Sequence, residues 1–339
     1  MTEYTQTASL TSDPSDGRSA QPLRIVLTGG TGQVGHILRR HFAAQGSEVV
    51  TLSRGAGGAG FVAWDGEHVG KWVEVLEGAH TVINLAGRSV DCRYNERNKR
   101  EIRQSRIDAT RALGQAISQL ERPPRVWLNM STATIYRHAM DREMDEFTGE
   151  LGGGEAAAPK AWRFSVEVAR EWEETFFRAA TPATRKVALR SAMVMSPDRG
   201  GVFDTLLRLV SFGLGGKMGS GQQFVSWVHE RDFARAVDFL IEREGISGVV
   251  NIASPKPLRN SEFMEILRRA WGTKFGLPAA RWMLEVGAMV LGTETELILK
   301  SRRVVSGCLL AEGFRFDFPD WDLAASELVR RRIGAGSVA

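Results

Sequence analysis

The sequence predicts an α/β fold built on a doubly wound parallel sheet, with a smaller, mainly helical C-terminal lobe. Three observations lead there. Short β-branched apolar runs alternate with helical stretches over the first 250 or so residues, the texture of a parallel sheet covered by helices. A turn carrying Gly29, Gly32 and Gly35 follows the first of those runs. From Ser196 onward the texture shifts to glycine-rich breaks and helices.

The first run, Ile25, Val26 and Leu27, has the composition of a central strand buried on both faces. After the glycines, Val34, Ile37, Leu38 and Phe42 recur at helical spacing, so the turn joins a strand to a helix. Such a turn aims backbone N–H groups and the positive helix end at one point, which suits a pyrophosphate. Gly29, Gly30, Thr31, Gly32, Gln33, Val34 and Gly35 are therefore expected to hold a dinucleotide. A second strand spans 48–52. Where an NAD site usually carries an acid, about 20 residues beyond the glycines, the chain has Ser53 and Arg54. A hydroxyl and a guanidinium suit a 2′-phosphate, which favours NADP(H).

A third strand is expected at 61–64, with Asp65 set either to meet an adenine amine or to form a turn. After a short helix near 72–76, a buried strand ends in Leu85, Ala86 and Gly87, small enough for backbone to pass close to a cofactor. A long helix over 95–120 opens with Arg97, Lys99, Arg100, Arg103 and Arg106, just after Arg93. Its basic start reads as a solvated face paired with Glu96 and Glu101. Strand 125–130 then runs into Ser131, Thr132 and Tyr136, hydroxyls at the carboxyl end of a parallel strand where ligands bind in such sheets. The acidic, glycine-rich stretch 141–158 reads as a mobile lid, followed by helix 161–179 and strand 185–194.

Beyond the break at 197–201 come helix 202–212 and a glycine-rich loop, 213–221, able to wrap a ligand or merely connect. Helix 230–244 follows a run ending in His229; 248–253 is the last expected sheet strand, and 313–319 a short alternating strand before a final helix. The expected domains are a disordered leader (1–22), a cofactor domain (23–195 and 230–253) and a substrate lobe (196–229 and 254–335).

Bulk properties bound the function. Hydrophobic content of 43 % and charged content of 25 % are those of a globular chain. A net charge of +4 over 339 residues gives no case for a nucleic-acid partner. Cys92 and Cys308 lack metal-type spacing and fit a reducing, cytoplasmic setting. The apolar stretch 282–291 is too short to span a bilayer, and the polar leader lacks a secretory signal pattern. A small-molecule substrate is expected, with the oligomeric state left open.

Four local patterns are specific enough to compare with a family: residues 82–87 (Val-Ile-Asn-Leu-Ala-Gly), 99–106 (Lys-Arg-Glu-Ile-Arg-Gln-Ser-Arg), 219–229 and 313–316. With the glycine turn they resemble the extended short-chain dehydrogenase/reductases. Within these the chain is similar to sugar-nucleotide epimerase-like proteins with a C-terminal domain of unknown function. The resemblance implies a Rossmann-type sheet, a nicotinamide cofactor and a smaller substrate lobe. It also implies a Tyr followed four residues later by Lys, the pair that shuttles a proton. None of the three tyrosines has that lysine; the matching helix offers Ser165 and Ala169 instead. The substitutes are Tyr136 beside Thr132, His229, or a buried Glu167 or Glu173. Two functions follow: an NADP(H)-dependent epimerase-like oxidoreductase for a small or sugar-like substrate, or a dinucleotide-binding sensor or scaffold that has lost the reaction.

Overall fold

The structure, a computed structural model, describes residues 22–55, 57–155, 158–285 and 294–336. The expected leader, apart from Pro22, lies outside the described residues.

Among the described residues seven strands form one parallel sheet: β1 (Arg24–Thr28), β2 (Glu48–Ser53), β3 (Phe61–Ala63), β4 (Thr81–Asn84), β5 (Val126–Thr132), β6 (Arg185–Ser191) and β10 (Gly248–Ile252). Three short pieces interrupt that count: β7 (Met193–Met195), β8 (Phe224–Val225) and β9 (Trp227–His229). The spatial order is β3-β2-β1-β4-β5-β6-β10. The chain winds outward from β1 to β3, returns, and winds the other way from β4, so β1 pairs with both β2 and β4. That reversal opens a crevice at the strands' carboxyl ends, where open α/β sheets take their ligands.

Both faces of the sheet are covered, which is why its strands are apolar runs rather than alternating ones. Ile25 and Leu27 face Ile37, Leu38 and Phe42 of α1 (Gln33–Ala44) and Phe233 and Val237 of α5 (Glu230–Glu242). Val26 and Val82 face the other way, toward Ala109 and Leu113 of α2 (Glu96–Ile117) and Phe176 of α3 (Lys160–Arg178). Asn95 caps α2 by accepting from the Asn98 amide at 2.9 Å. A separate apolar cluster joins α4 (Val202–Ser211), α6 (Asn260–Trp271) and the final helix, Trp321–Gly336, through Phe203, Leu207, Phe263, Leu267 and Trp321.

Three local expectations change. The run 185–194 is two strands, because the chain leaves the sheet after Ser191 and β7 pairs with β9. The stretch 313–319 forms no strand: Phe314 and Phe316 pack with each other, Phe314 also with Phe239, and the Asp232 carboxylate takes the Asp317 and Phe318 amides at 2.8 Å each. In the acidic stretch expected to be a mobile lid, the described residues are tied down. Glu146 accepts from the backbone amides of Asn251, Gly307 and Cys308, and Met144 exchanges backbone bonds with Arg303 and Val305.

Candidate functional site

The glycine turn divides into packing glycines and one open one. Gly29 has φ +65°, and a Cβ there would stand 2.6 Å from the Leu85 carbonyl oxygen. At Gly30 a Cβ would meet the Thr51 side chain at 2.6 Å, and at Gly35 it would strike Gly30 Cα at 2.4 Å. At Gly32 the nearest atom would be 3.5 Å away, so protein packing leaves that position room. Gly32 is also the N-cap of α1, with no capping side chain and no acid in the first turn. The free amides and dipole of a 12-residue helix therefore point into open space beside Thr31 and Gly32, both exposed. Gln33 adds a buried Nε2 with no hydrogen-bond partner, and Val34 packs on the core. An open cradle at a helix N-terminus with no capping side chain fits a phosphate group, with the Gln33 amide lying against Gly201.

At the end of β2, the Ser53 hydroxyl accepts from the Gly55 amide at 3.2 Å, and Arg54 is exposed without an ion pair among the described residues. Asp65 forms a turn: it accepts from the Glu67 and His68 amides and pairs with the His68 ring at 2.8 Å. These contacts hold its carboxyl at about 2.

A cavity of about 220 Å³ lies at the crevice, between the ends of β4 and β5 and the inner sides of α2 and α3. Leu85, Ala86 and Gly87 form one wall, Ser131 and Thr132 another. A buried polar network fixes these two strand ends. Thr28 donates to Asn84 Oδ1 at 2.6 Å, the Asn84 amide reaches Asn129 Oδ1 at 2.7 Å, and Trp172 Nε1 bonds Thr110 at 3.0 Å.

The two hydroxyls expected here differ in what they can do. Ser131 Oγ donates its proton to Glu173 at 2.5 Å and has none left for a ligand. Thr132 Oγ1 accepts from the Thr134 amide at 3.1 Å, so its proton remains available to the cavity. Further polar groups line the cavity that the sequence did not single out for this role: Tyr94, Arg106, Ser165 and Glu296. Ser165 Oγ donates to Glu296 at 2.5 Å and lies 3.5 Å from the Tyr94 hydroxyl. Burial pushes the Tyr94 phenol to about 12 and raises the Glu296 carboxyl. Ser165 stands at the position where the resemblance places a tyrosine. Nothing in the sequence marks Glu296, which arrives from the helix Glu296–Leu299, more than a hundred residues away.

Tyr136 and His229 do not line this cavity. Tyr136 is 2 % exposed; it donates to Asn251 at 2.9 Å and accepts from Arg190 at 3.0 Å. Its proton is thereby directed into the core. His229 is fully buried, stacks on Phe318 at 3.9 Å, caps α5 through Nδ1 and meets Glu327 through Nε2 at 3.0 Å. Both candidates for the proton donor are occupied by structural bonds. Glu173 makes a two-pronged bridge to Arg190 at 2.8 and 2.7 Å, while Glu167 sits exposed on α3, 3.7 Å from Arg103. The loop 213–221 spends its backbone on the fold, with Gly216 and Gly219 bonded to Leu277 and Ala279.

The fold and the glycine cradle define a dinucleotide-fold protein, and the chain belongs to the NAD dependent epimerase/dehydratase family, whose profile matches residues 25–253. A domain of unknown function (DUF1731) matches residues 279–328. Among individual relatives, the human epimerase family protein SDR39U1 is 30 % identical over 311 residues, covering 91 % of this chain and 100 % of the relative. The epimerase family protein YfhF of Bacillus subtilis is 29 % identical, covering 91 % and 99 %. The crystal structure of the human protein (isoform 2) with NADPH superimposes with a TM-score of 0.80 at 29 % identity, over 91 % of this chain and 99 % of that one.

Proposed function

We propose that this chain binds NADP(H) and acts as an epimerase-like oxidoreductase on a small molecule. Gly32 and the start of α1 would hold the pyrophosphate, with Ser53 and Arg54 at the 2′-phosphate and Leu85, Ala86 and Gly87 beside the nicotinamide. The observation that carries the reading is the cavity at the carboxyl ends of β4 and β5, beside the sheet's reversal. It brings an unspent Thr132 hydroxyl next to Ala86 and Gly87. The human relative's complex with NADPH supports the choice of cofactor.

The cofactor, when bound, supplies or accepts a hydride. The chain's part is to orient and polarise the reacting oxygen, and Thr132 Oγ1 is the donor placed to do so. Ser165, whose proton goes to Glu296, can accept from a ligand, and that bond makes a short proton path from the cavity wall to a buried carboxyl. In this reading residues 196–229 and 254–335 form the substrate lobe, and its contribution to the cavity is Glu296. No helix among the described residues is long and apolar enough to cross a membrane. With Cys92 and Cys308 both free thiols, we place the protein in the cytoplasm.

The test is transfer of deuterium from stereospecifically labelled NADPH to a panel of carbonyl and sugar-nucleotide compounds. Turnover of one compound, cut tenfold or more by Thr132→Val, is the expected result. Absence of transfer across the panel, with NADPH binding intact, favours the second reading, a cofactor-binding sensor. Ser165 and Ala169 standing where the superfamily keeps its Tyr and Lys motivate that reading.

A further inference from the structure

Arg106 departs from the basic face on which it was expected. Its neighbours on α2 pair at the surface, Lys99 with Glu96 at 2.9 Å and Arg97 with Glu101 at 2.8 Å. Arg106 turns inward. Its guanidinium carbon lies 5.1 Å from the Trp172 ring, and a Cβ on Gly87 would stand 3.2 Å from it. One terminal nitrogen donates to the Ile102 carbonyl at 2.8 Å.

Among the described residues no carboxylate pairs with this charge. Glu296 lines the same cavity, but it bonds Ser165, and its electrostatic partners are Arg302 and Lys300. The ionisable groups acting on Arg106 are Tyr94 and Cys92, neither of them a carboxylate. Burial alone lowers the guanidinium to about 10, so it stays protonated in neutral solution. A half-buried guanidinium without a counter-charge gives up part of its hydration, a cost that a ligand carrying the opposite charge offsets.

We propose that Arg106 is the anion-binding residue of the substrate site and that the substrate is a small carbonyl compound carrying one carboxylate beside a branched apolar body. The charge count favours a carboxylate over a phosphate ester, because Arg106 is the single cation lining the cavity among the described residues. The apolar body follows from Val90, Ile102, Phe164, Val168 and Trp172, which form the walls around the guanidinium. A planar guanidinium held on an aromatic face presents its fork to a carboxylate two-pronged, a match that a lysine does not make. The inference rests on the NADP(H) reading, since it takes the space beside Ala86 and Gly87 as the substrate's side of the dinucleotide.

The probe pair is 3-methyl-2-oxobutanoate and its methyl ester, alike in shape and carbonyl but differing in charge. Each is titrated by calorimetry into full-length protein saturated with NADP+, wild type and Arg106→Met. The acid is expected to bind the wild type at least tenfold more tightly than the ester. Arg106→Met should erase that preference while its affinity for NADP+ changes less than threefold. Equal binding of acid and ester by the wild type would overturn the proposal, as would undiminished acid binding by Arg106→Met. A tenfold loss of NADP+ affinity in that variant would assign the guanidinium to the cofactor instead. Inorganic phosphate displacing the acid at equal concentration would overturn the carboxylate assignment. If NADP+ itself fails to bind the wild type, the cofactor reading falls, and the acid–ester comparison is then made on the protein alone.

Discussion

Two arginines flank helix α3, Arg190 buried and Arg106 half-buried, and they serve opposite ends. Arg190 on β6 is held by both oxygens of Glu173 and lies over the Tyr136 ring. Glu173 takes the Ser131 proton as well, so every member of that group has its partners. One residue earlier on α3, Trp172 covers Arg106, which has a carbonyl and a ring but no carboxylate. The first arrangement braces β5, α3 and β6 against one another. The second leaves a charge waiting on the wall of a cavity. Pairing with a carboxylate separates the structural cation from the one proposed to meet a ligand.

That contrast breaks most visibly in stability. Glu173→Leu strands Arg190 in the core and should cost about 3–5 kcal/mol in chemical denaturation. Arg106→Met removes a charge that no carboxylate among the described residues pairs, and should leave stability within about 1 kcal/mol of the wild type, or raise it. A loss at Arg106 as large as that at Glu173 would make both arginines structural.

Lys300 is an intermediate case: 2 % exposed, bonded to the Thr134 carbonyl at 2.7 Å, with Glu296 3.9 Å away. Burial and the nearby Arg302 lower its ammonium from 10.5 to about 8. Between pH 8 and 10.5 the unfolded chain therefore binds more protons at this site than the folded one, and stability from this group rises with pH. The full difference is about 3 kcal/mol. The stability of the wild type relative to Lys300→Met should climb across that window; a flat difference would show that Glu296 compensates the charge after all.

Smaller effects probe the cofactor's end of the crevice and the helix that carries Arg106. Arg54→Ala should weaken NADPH about tenfold, near 1.4 kcal/mol, and leave NADH unchanged; equal losses would remove Arg54 from the 2′-phosphate. Asn95→Ala should destabilise by about 1 kcal/mol through the lost cap on α2, read as a shift in the denaturation midpoint. No shift would mean that tertiary packing alone sets that helix end.

The sheet was legible because its strands are buried on both faces, and apolar runs such as Ile25 to Leu27 need no partner to be recognised. The glycine turn was legible for a similar reason, since its geometry is local. What escaped was everything set by distant segments. Nothing near Tyr136 announces that Asn251 and Arg190 will take its hydroxyl. The capping of α5 by His229 was within reach of its position before Glu230, but Glu327 was not. The acidic stretch 141–158 had the composition of a lid, and its anchoring came from residues 251 and 303–308. Arg106 was hidden among basic neighbours at helical spacing, and only the packing of α3 separates it from them. Ser165 was legible as an absence, a hydroxyl where a tyrosine was expected.

The central claim, that the cradle at Gly32 takes NADP(H), is tested most directly by calorimetric titration of NADPH into the wild type and Gly32→Val. A side chain at that position meets no protein atom closer than 3.5 Å at its Cβ, so the variant should keep its thermal midpoint. The expected result is saturable binding to the wild type and a loss of at least a hundredfold in the folded variant. Equal affinity in the two proteins would contradict it.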